Sequence, residues 1–192
     1  SFGGEPAIVL RVGDLGVPGF ELLVAAGRFN DAVTALRAGG AVELSDEAAE
    51  ALRVEGGVPR FHQDMDETTI PLEAGLEKRA ISQSKGCYVG QEVIIRVLHR
   101  GHGRVAKKLV GLTFSGETVP GASAPEPADG PAEGNDKPAE SGSKAPRVTS
   151  AVFSPSLKRP IALAYVPRDA AEPGTEVLAS GVTAKVTALP FV

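Results

Sequence analysis

One stretch divides the 192-residue chain. Residues 115–147 hold six of the 15 prolines and five of the 23 glycines, and their only large aliphatic side chain is Val119. Such a composition buries too little apolar surface to offset the entropy of ordering it. The stretch therefore reads as a disordered insertion, in preference to a flexible recognition segment. The fold has to be built from the residues on either side. At roughly 100–200 residues per domain, these make one domain or two small ones.

Before the insertion the pattern is mixed. Residues 7–12 and 20–25 read as strands joined by a turn-rich stretch, 13–19. Asn30 or Asp31 can cap a helix with Ala32, Val33 and Leu36 on one face, ending at Gly39-Gly40. Ser45 can cap a second helix running through Leu52, with Asp46 and Glu47 in its first turn. A third is expected from about Val89, with Val93, Ile94, Val97 and Leu98 on one face. Around and beyond the insertion the pattern is β: residues 105–114, 147–153, 161–166, 175–179 and an alternating run, 182–189.

Charge and cysteine usage narrow the class. Twenty Lys and Arg against 24 Asp and Glu give a net charge of −4, so no global field draws the chain to nucleic acid or an anionic membrane. The longest aliphatic and aromatic run, 161–166, falls far short of the ~20 residues that span a bilayer. The first residues have neither the basic nor the apolar region of a signal peptide, and the absence of an initiator Met suggests a processed or excised segment. A single cysteine excludes an intrachain disulfide and an all-cysteine zinc site, which makes a reducing cytoplasm the expected setting. Against the acidic average, eight basic residues and only Glu77 and Glu92 lie between Leu76 and Leu109. That stretch suits an anion such as a polyglutamate tail, a phosphate or an RNA backbone, or is a solvated basic face. No aromatic RNA-binding motif accompanies it, so RNA is at most a weak partner.

The densest chemistry is Lys85-Gly86-Cys87-Tyr88-Val89-Gly90-Gln91-Glu92. A thiol near a lysine and a helix N-terminus has two features favouring the thiolate, while the alternative is a small buried apolar side chain. Glu21 opens an apolar strand, where it either faces solvent or accepts two parallel hydrogen bonds from a guanidine-like edge. Metal sites are not expected: His99 and His102 flank Arg100, and residues 62–67 lack the full calcium-loop spacing. Neither a phosphate loop nor a nucleophile elbow is present.

These residues resemble a family. Residues 85–92 are similar to the K-G-C-Y-x-G-Q-E signature of the YgfZ group of folate-binding proteins, relatives of the glycine-cleavage T-protein. Gly19-Phe20-Glu21 resembles the superfamily's G-[FY]-E, and Leu52-Arg53-Val54-Glu55-Gly56-Gly57 its L-R-[LIV]-E-[AG]-G. Residues 70–76 resemble its P-x-E-x-x-L segment. Val148-Thr149-Ser150, Phe153-Ser154-Pro155, 161–166 and Leu189-Pro190-Phe191 resemble its C-terminal barrel.

The resemblance implies an α+β fold: the latter part of a T-protein-like folate-binding domain, residues 1–104, then a small antiparallel β-barrel, 105–192, interrupted by the insertion. It also implies a segment ahead of Ala7 that completes the folate domain and holds the T-protein's catalytic aspartate. The chain is then expected to be a fragment, a truncated reading frame, or half of a pair. The implied function is a tetrahydrofolate-binding accessory protein for iron–sulfur enzymes and tRNA modification. Its implied partners are folate and iron–sulfur assembly or client proteins. Cys87 would be the working thiol with Lys85 in support, and Glu21, Arg53, Tyr88 and Gln91 the folate contacts. The alternatives are an aminomethyltransferase acting with tetrahydrofolate, and a non-catalytic folate- or RNA-binding module. The turn at 11–16 departs from the T-protein's T-G-Y-T-G-E, and the cysteine signature is generally absent from T-proteins. Both favour the accessory reading.

Overall fold

The computed structural model describes residues 1–82, 84–100, 104–116, 121 and 145–192. Most of the expected insertion lies outside the described residues. Two short, mostly apolar runs, β1 (Ile8–Val12) and β2 (Gly19–Leu23), form an antiparallel hairpin with Leu10 opposite Glu21. Helix α1 (Phe29–Ala38) grows from a 3-10 turn at Ala26–Arg28, so it starts before Asn30 and without a side-chain cap. Helix α2 (Asp46–Glu55) is capped as the sequence predicts, the Ser45 hydroxyl accepting from the Ala48 amide at 3.2 Å. It runs three residues beyond Leu52, because Arg53, Val54 and Glu55 are all buried by the sheet behind them.

Two short helices follow, α3 (Glu77–Ala80) and α4 (Gln91–Ile95), the latter running into a π-helical turn at Arg96–Arg100. The rest is one antiparallel sheet in the order β4-β5-β3-β7-β6. Its strands are β3 (Lys107–Phe114), β4 (Arg147–Ser154), β5 (Arg159–Pro167), β6 (Glu176–Ala179) and β7 (Val182–Thr187).

Interior strand β5, between β4 and β3, is apolar on both faces, as strands covered on both sides are. Ala162, Ala164 and Val166 join Leu112, Phe114, Val148 and Val186 in the core on one face. Ile161, Leu163 and Tyr165 face the other way, onto Val54 of α2 and Leu189 and Phe191 of the C-terminal segment. A third cluster, Leu72, Ile94 and Val105, holds Tyr88 and the α4 region to the start of β3. No helix among the described residues is long and apolar enough to cross a membrane.

Candidate functional site

The joint between α2 and the sheet is polar and buried. Asp64 accepts from Arg53 Nη1 at 2.7 Å and the Arg60 amide at 2.9 Å on one oxygen, and from the Thr149 and Ser150 hydroxyls at 2.6 Å on the other. Arg53 also donates to both Glu50 oxygens, the Val58 carbonyl and the Ser150 hydroxyl. Two residues on, Glu55 accepts from the Ser154 hydroxyl at 2.5 Å and the Ser156 hydroxyl at 2.9 Å, while its backbone carbonyl accepts from Phe191 N–H. The hydrogen bonds and charge of Arg53 hold the Glu50 carboxyl below the usual carboxylate range against the opposing effect of burial. Arg53, which the resemblance implied as a folate contact, lies inside this joint. Its donors are committed to the joint, because burying the cation in this interface demands partners on every side.

The hairpin turn docks on this joint. Gly16 and Gly56 touch backbone to backbone: a Cβ built on Gly16 falls 2.3 Å from the Gly56 Cα. Arg79 reaches the turn from α3, donating to the Gly13 carbonyl at 3.3 Å and lying 3.6 Å from Asp14. Beyond the turn the hairpin projects with Glu21 exposed on β2. Among the described residues the Glu21 carboxylate has no hydrogen-bond or ion-pair partner.

In the signature segment, Tyr88 points into the third cluster while Cys87 and Val89 face outward. Lys85 places its ammonium 4.8 Å from the centroid of the Tyr88 ring, a cation–π contact that directs its charge onto the ring. Gly90 takes a left-handed conformation (φ 83°) that turns the chain into α4, and the half-buried Gln91 opens that helix. The helix expected from Val89 is thus only five residues, Gln91–Ile95, and begins after the thiol rather than beside it. No hydrogen bond joins Glu21 to Cys87 or Lys85 among the described residues, so the two candidate centres lie on separate elements.

Two clefts flank the joint. The larger, ≈ 1130 Å³, runs between the α2 C-terminus and the sheet and is lined by Lys78, Arg79, Lys108 and Arg168 together with Glu77, Asp169 and Glu172. Three of these cations belong to the basic stretch seen in the sequence. The fourth, Arg168, was missed: it follows β5 by one residue and meets Lys108 only through the β3–β5 pairing. The smaller cleft, ≈ 470 Å³, lies between the hairpin turn, Arg53, Met65 and Leu76. Glu73, buried at the edge of β3 with Lys107 3.8 Å away, has its pKa raised by burial, only partly offset by the lysine charge.

An α+β unit carrying an exposed, mostly apolar hairpin with the Glu21 carboxylate, joined through buried charges to an antiparallel sheet, defines the class. Residues 1–85 match the family described as the GCVT N-terminal domain, and residues 107–192 match the glycine cleavage T-protein C-terminal barrel domain. The chain belongs, through both units, to the glycine cleavage T-protein superfamily. It is 32% identical to an aminomethyltransferase of Streptomyces coelicolor over 98% of its own length and 50% of the relative's. The corresponding figures for an aminomethyltransferase of Rubrobacter xylanophilus are 35%, 98% and 47%. The crystal structure of glycine cleavage system aminomethyltransferase T from Bartonella henselae superposes with a TM-score of 0.76 at 25% identity, covering 97% of this chain and 50% of that one. The fold is α+β and T-protein-like with a C-terminal barrel domain, and the chain spans about half the length of the relatives it matches.

Proposed function

We propose that the chain acts in tetrahydrofolate binding as part of a YgfZ-type accessory protein that supports iron–sulfur enzymes and, through them, tRNA modification. The observation that carries the reading is Glu21: an exposed carboxylate without a partner among the described residues, on a hairpin whose other residues are mostly apolar. A carboxylate with two free acceptors fits the guanidine-like edge of a pterin, and apolar neighbours fit its ring. The cations of the larger cleft suit the carboxylates of a glutamate tail. Bound folate would supply a one-carbon carrier, while Glu21 orients it and Arg53 positions the wall of the smaller cleft. The cysteine-containing signature at 85–92, with its thiol exposed, supports the accessory branch, and a cytoplasmic setting would keep that thiol reduced. Tyr88 anchors this segment and Gln91 opens the helix after it.

The name borne by the curated relatives favours a second reading, aminomethyl transfer. Calorimetric titration with tetrahydrofolate tests the shared part. Glu21→Gln is expected to weaken binding by about 1.5–3 kcal/mol, the worth of a hydrogen bond to a charged group. Unchanged affinity removes Glu21 from the site. Rescue of iron–sulfur enzyme activity in cells lacking the native protein separates the readings. Rescue that Cys87→Ala abolishes supports the accessory role with Cys87 as its thiol. No rescue by the unaltered protein overturns that role, and full rescue by Cys87→Ala makes the cysteine structural and leaves the role to the folate pocket.

A further inference from the structure

The first half of β3 lacks a strand on one side. β5 pairs with β3 along Lys107–Thr113, but β7 pairs only with Gly111–Phe114 and then leaves for α2, where Phe191 N–H meets the Glu55 carbonyl. Two bonds show which backbone groups this exposes. Arg168 N–H donates to the Ala106 carbonyl at 3.1 Å, so the even-numbered residues of this run bond toward β5. Leu109 N–H points the other way and reaches the Glu73 carbonyl at 2.8 Å. Backbone groups alternate sides along an antiparallel strand. The Lys107 amide and carbonyl and the Leu109 carbonyl therefore face the side that β7 has left, without a hydrogen-bond partner among the described residues. The larger cleft lies on that side, between Lys108–Val110 and Ala188–Pro190. Its charges of both signs are unpartnered too. Lys78, Lys108 and Arg168, like Glu77, Asp169 and Glu172, make no ion pair among the described residues.

We propose that this cleft is a docking groove for an extended segment of a partner protein. The segment adds to the open β3 edge as a short strand and carries an acidic and a basic side chain on either side of a small apolar residue. In strand addition, main-chain hydrogen bonds give affinity and alternate side chains give specificity. The partner's amides meet the Lys107 and Leu109 carbonyls, and one of its carbonyls meets the Lys107 amide. Its acid meets Lys108 and Arg168. These two are diagonal neighbours on one face, because Lys108 stands opposite Val166, two residues before Arg168. Its base meets the unpaired carboxylates. The uncharged lining includes Ala74, Gly75 and Leu189, which suits a small apolar side chain between the two charges. A glutamate tail in the same cleft meets the cations alone and leaves the carboxylates and the strand edge without partners.

The test titrates the full chain into fluorescein-labelled peptides of the form X-Val-Ala-Val-Z, with X and Z each Glu or Lys, and reads fluorescence anisotropy. The mixed-charge peptides should bind saturably, and about tenfold or more tighter than the Glu–Glu and Lys–Lys peptides. Methylating one alternate set of peptide amides should abolish binding, and methylating the other set should leave it intact. The Lys107 amide should exchange fast in the free chain and slow by roughly tenfold or more with peptide bound, while β5 amides stay unchanged. The paired variant Lys108→Glu/Arg168→Glu should move the preference to the Lys–Lys peptide, and Asp169→Lys/Glu172→Lys to the Glu–Glu peptide. Absence of saturable binding overturns the proposal, as does binding indifferent to methylation of either set. Preference of the unaltered chain for the Glu–Glu peptide marks an anion site of the kind a glutamate tail needs, and overturns it as well. Slow Lys107 exchange in the free chain, whether from its own segments or a second copy, means that the edge is already covered and also overturns it.

Discussion

Asp64 shows how far a single residue reaches in this chain. Its four accepted hydrogen bonds come from Arg53, Arg60, Thr149 and Ser150, so one carboxylate ties α2, its following loop and β4 together. Removing one partner of such a buried pair leaves an uncompensated charge, which typically costs about 3–5 kcal/mol. Asp64→Ala should lose about that much stability in urea unfolding. A loss below about 1 kcal/mol would mean that Arg53 re-pairs fully with Glu50. The network also sets a pH dependence. Glu50 has a lowered pKa in the fold, so its contribution is present above its unfolded value and is lost as pH falls through the folded one. Glu73 works in the opposite sense. Its raised pKa means the fold favours the protonated form, so stability falls as pH rises from the unfolded pKa, about 4.3, through the folded value. Glu73→Gln should flatten that decline in a pH series of unfolding midpoints and leave neutral-pH stability equal or higher; an unchanged slope would remove Glu73 as its source. The sequence showed Arg53 within a recognisable motif but not its task. Asp64 lies 11 residues on and Ser150 97, and no local pattern links them.

At the scale of elements, what was legible followed periodicity and capping. The β5 run, the alternation of β7 and the Ser45 cap of α2 all announce themselves locally. What was not legible depends on tertiary burial. The last turn of α2 forms because Val54 enters the core and Arg53 and Glu55 find partners on β4 and the segment after it. Helix α4 stops at Ile95, and its apolar spacing continues as a π turn packed on Leu72 and Val105. The glycine-rich turn between β1 and β2 was visible as a turn, but its glycines serve a docking contact. Gly16 has φ +78° and no room for a Cβ against Gly56. Gly16→Ala should therefore strain the turn and push it off α2. Proteolysis at residues 13–19 should accelerate while β3–β5 amides remain protected. A turn equally resistant in the variant would show that the backbones part without consequence.

For the molecule as a whole, the connection between β3 and β4 is the feature that composition obscured. The insertion invites the view that it merely lengthens a loop and that a short link from Phe114 to Val148 would replace it. The pairing says otherwise. β3 and β4 both run antiparallel to β5, which lies between them, so they are parallel to each other. Arg147 stands level with Tyr165 and Leu109, whereas Thr113 at the far end of β3 stands level with Ile161 and Val152. From Phe114 the chain must return by about five residues of strand, ~17 Å, and cross two strand spacings, ~10 Å. It must also pass around β5 rather than through it, and parallel connections of this kind take about a dozen residues or more. Replacing residues 117–144 with a glycine-serine link of about 12–15 residues should therefore preserve the cooperative unfolding of the sheet. A link of about two residues between Phe114 and Val148, which reaches only ~11 Å, should abolish it. Circular dichroism and the unfolding midpoint read both outcomes. A folded short-link variant would mean that β4 can leave its place beside β5 without loss of the sheet, and the polar joint it makes with Arg53 and Asp64 would then be dispensable as well.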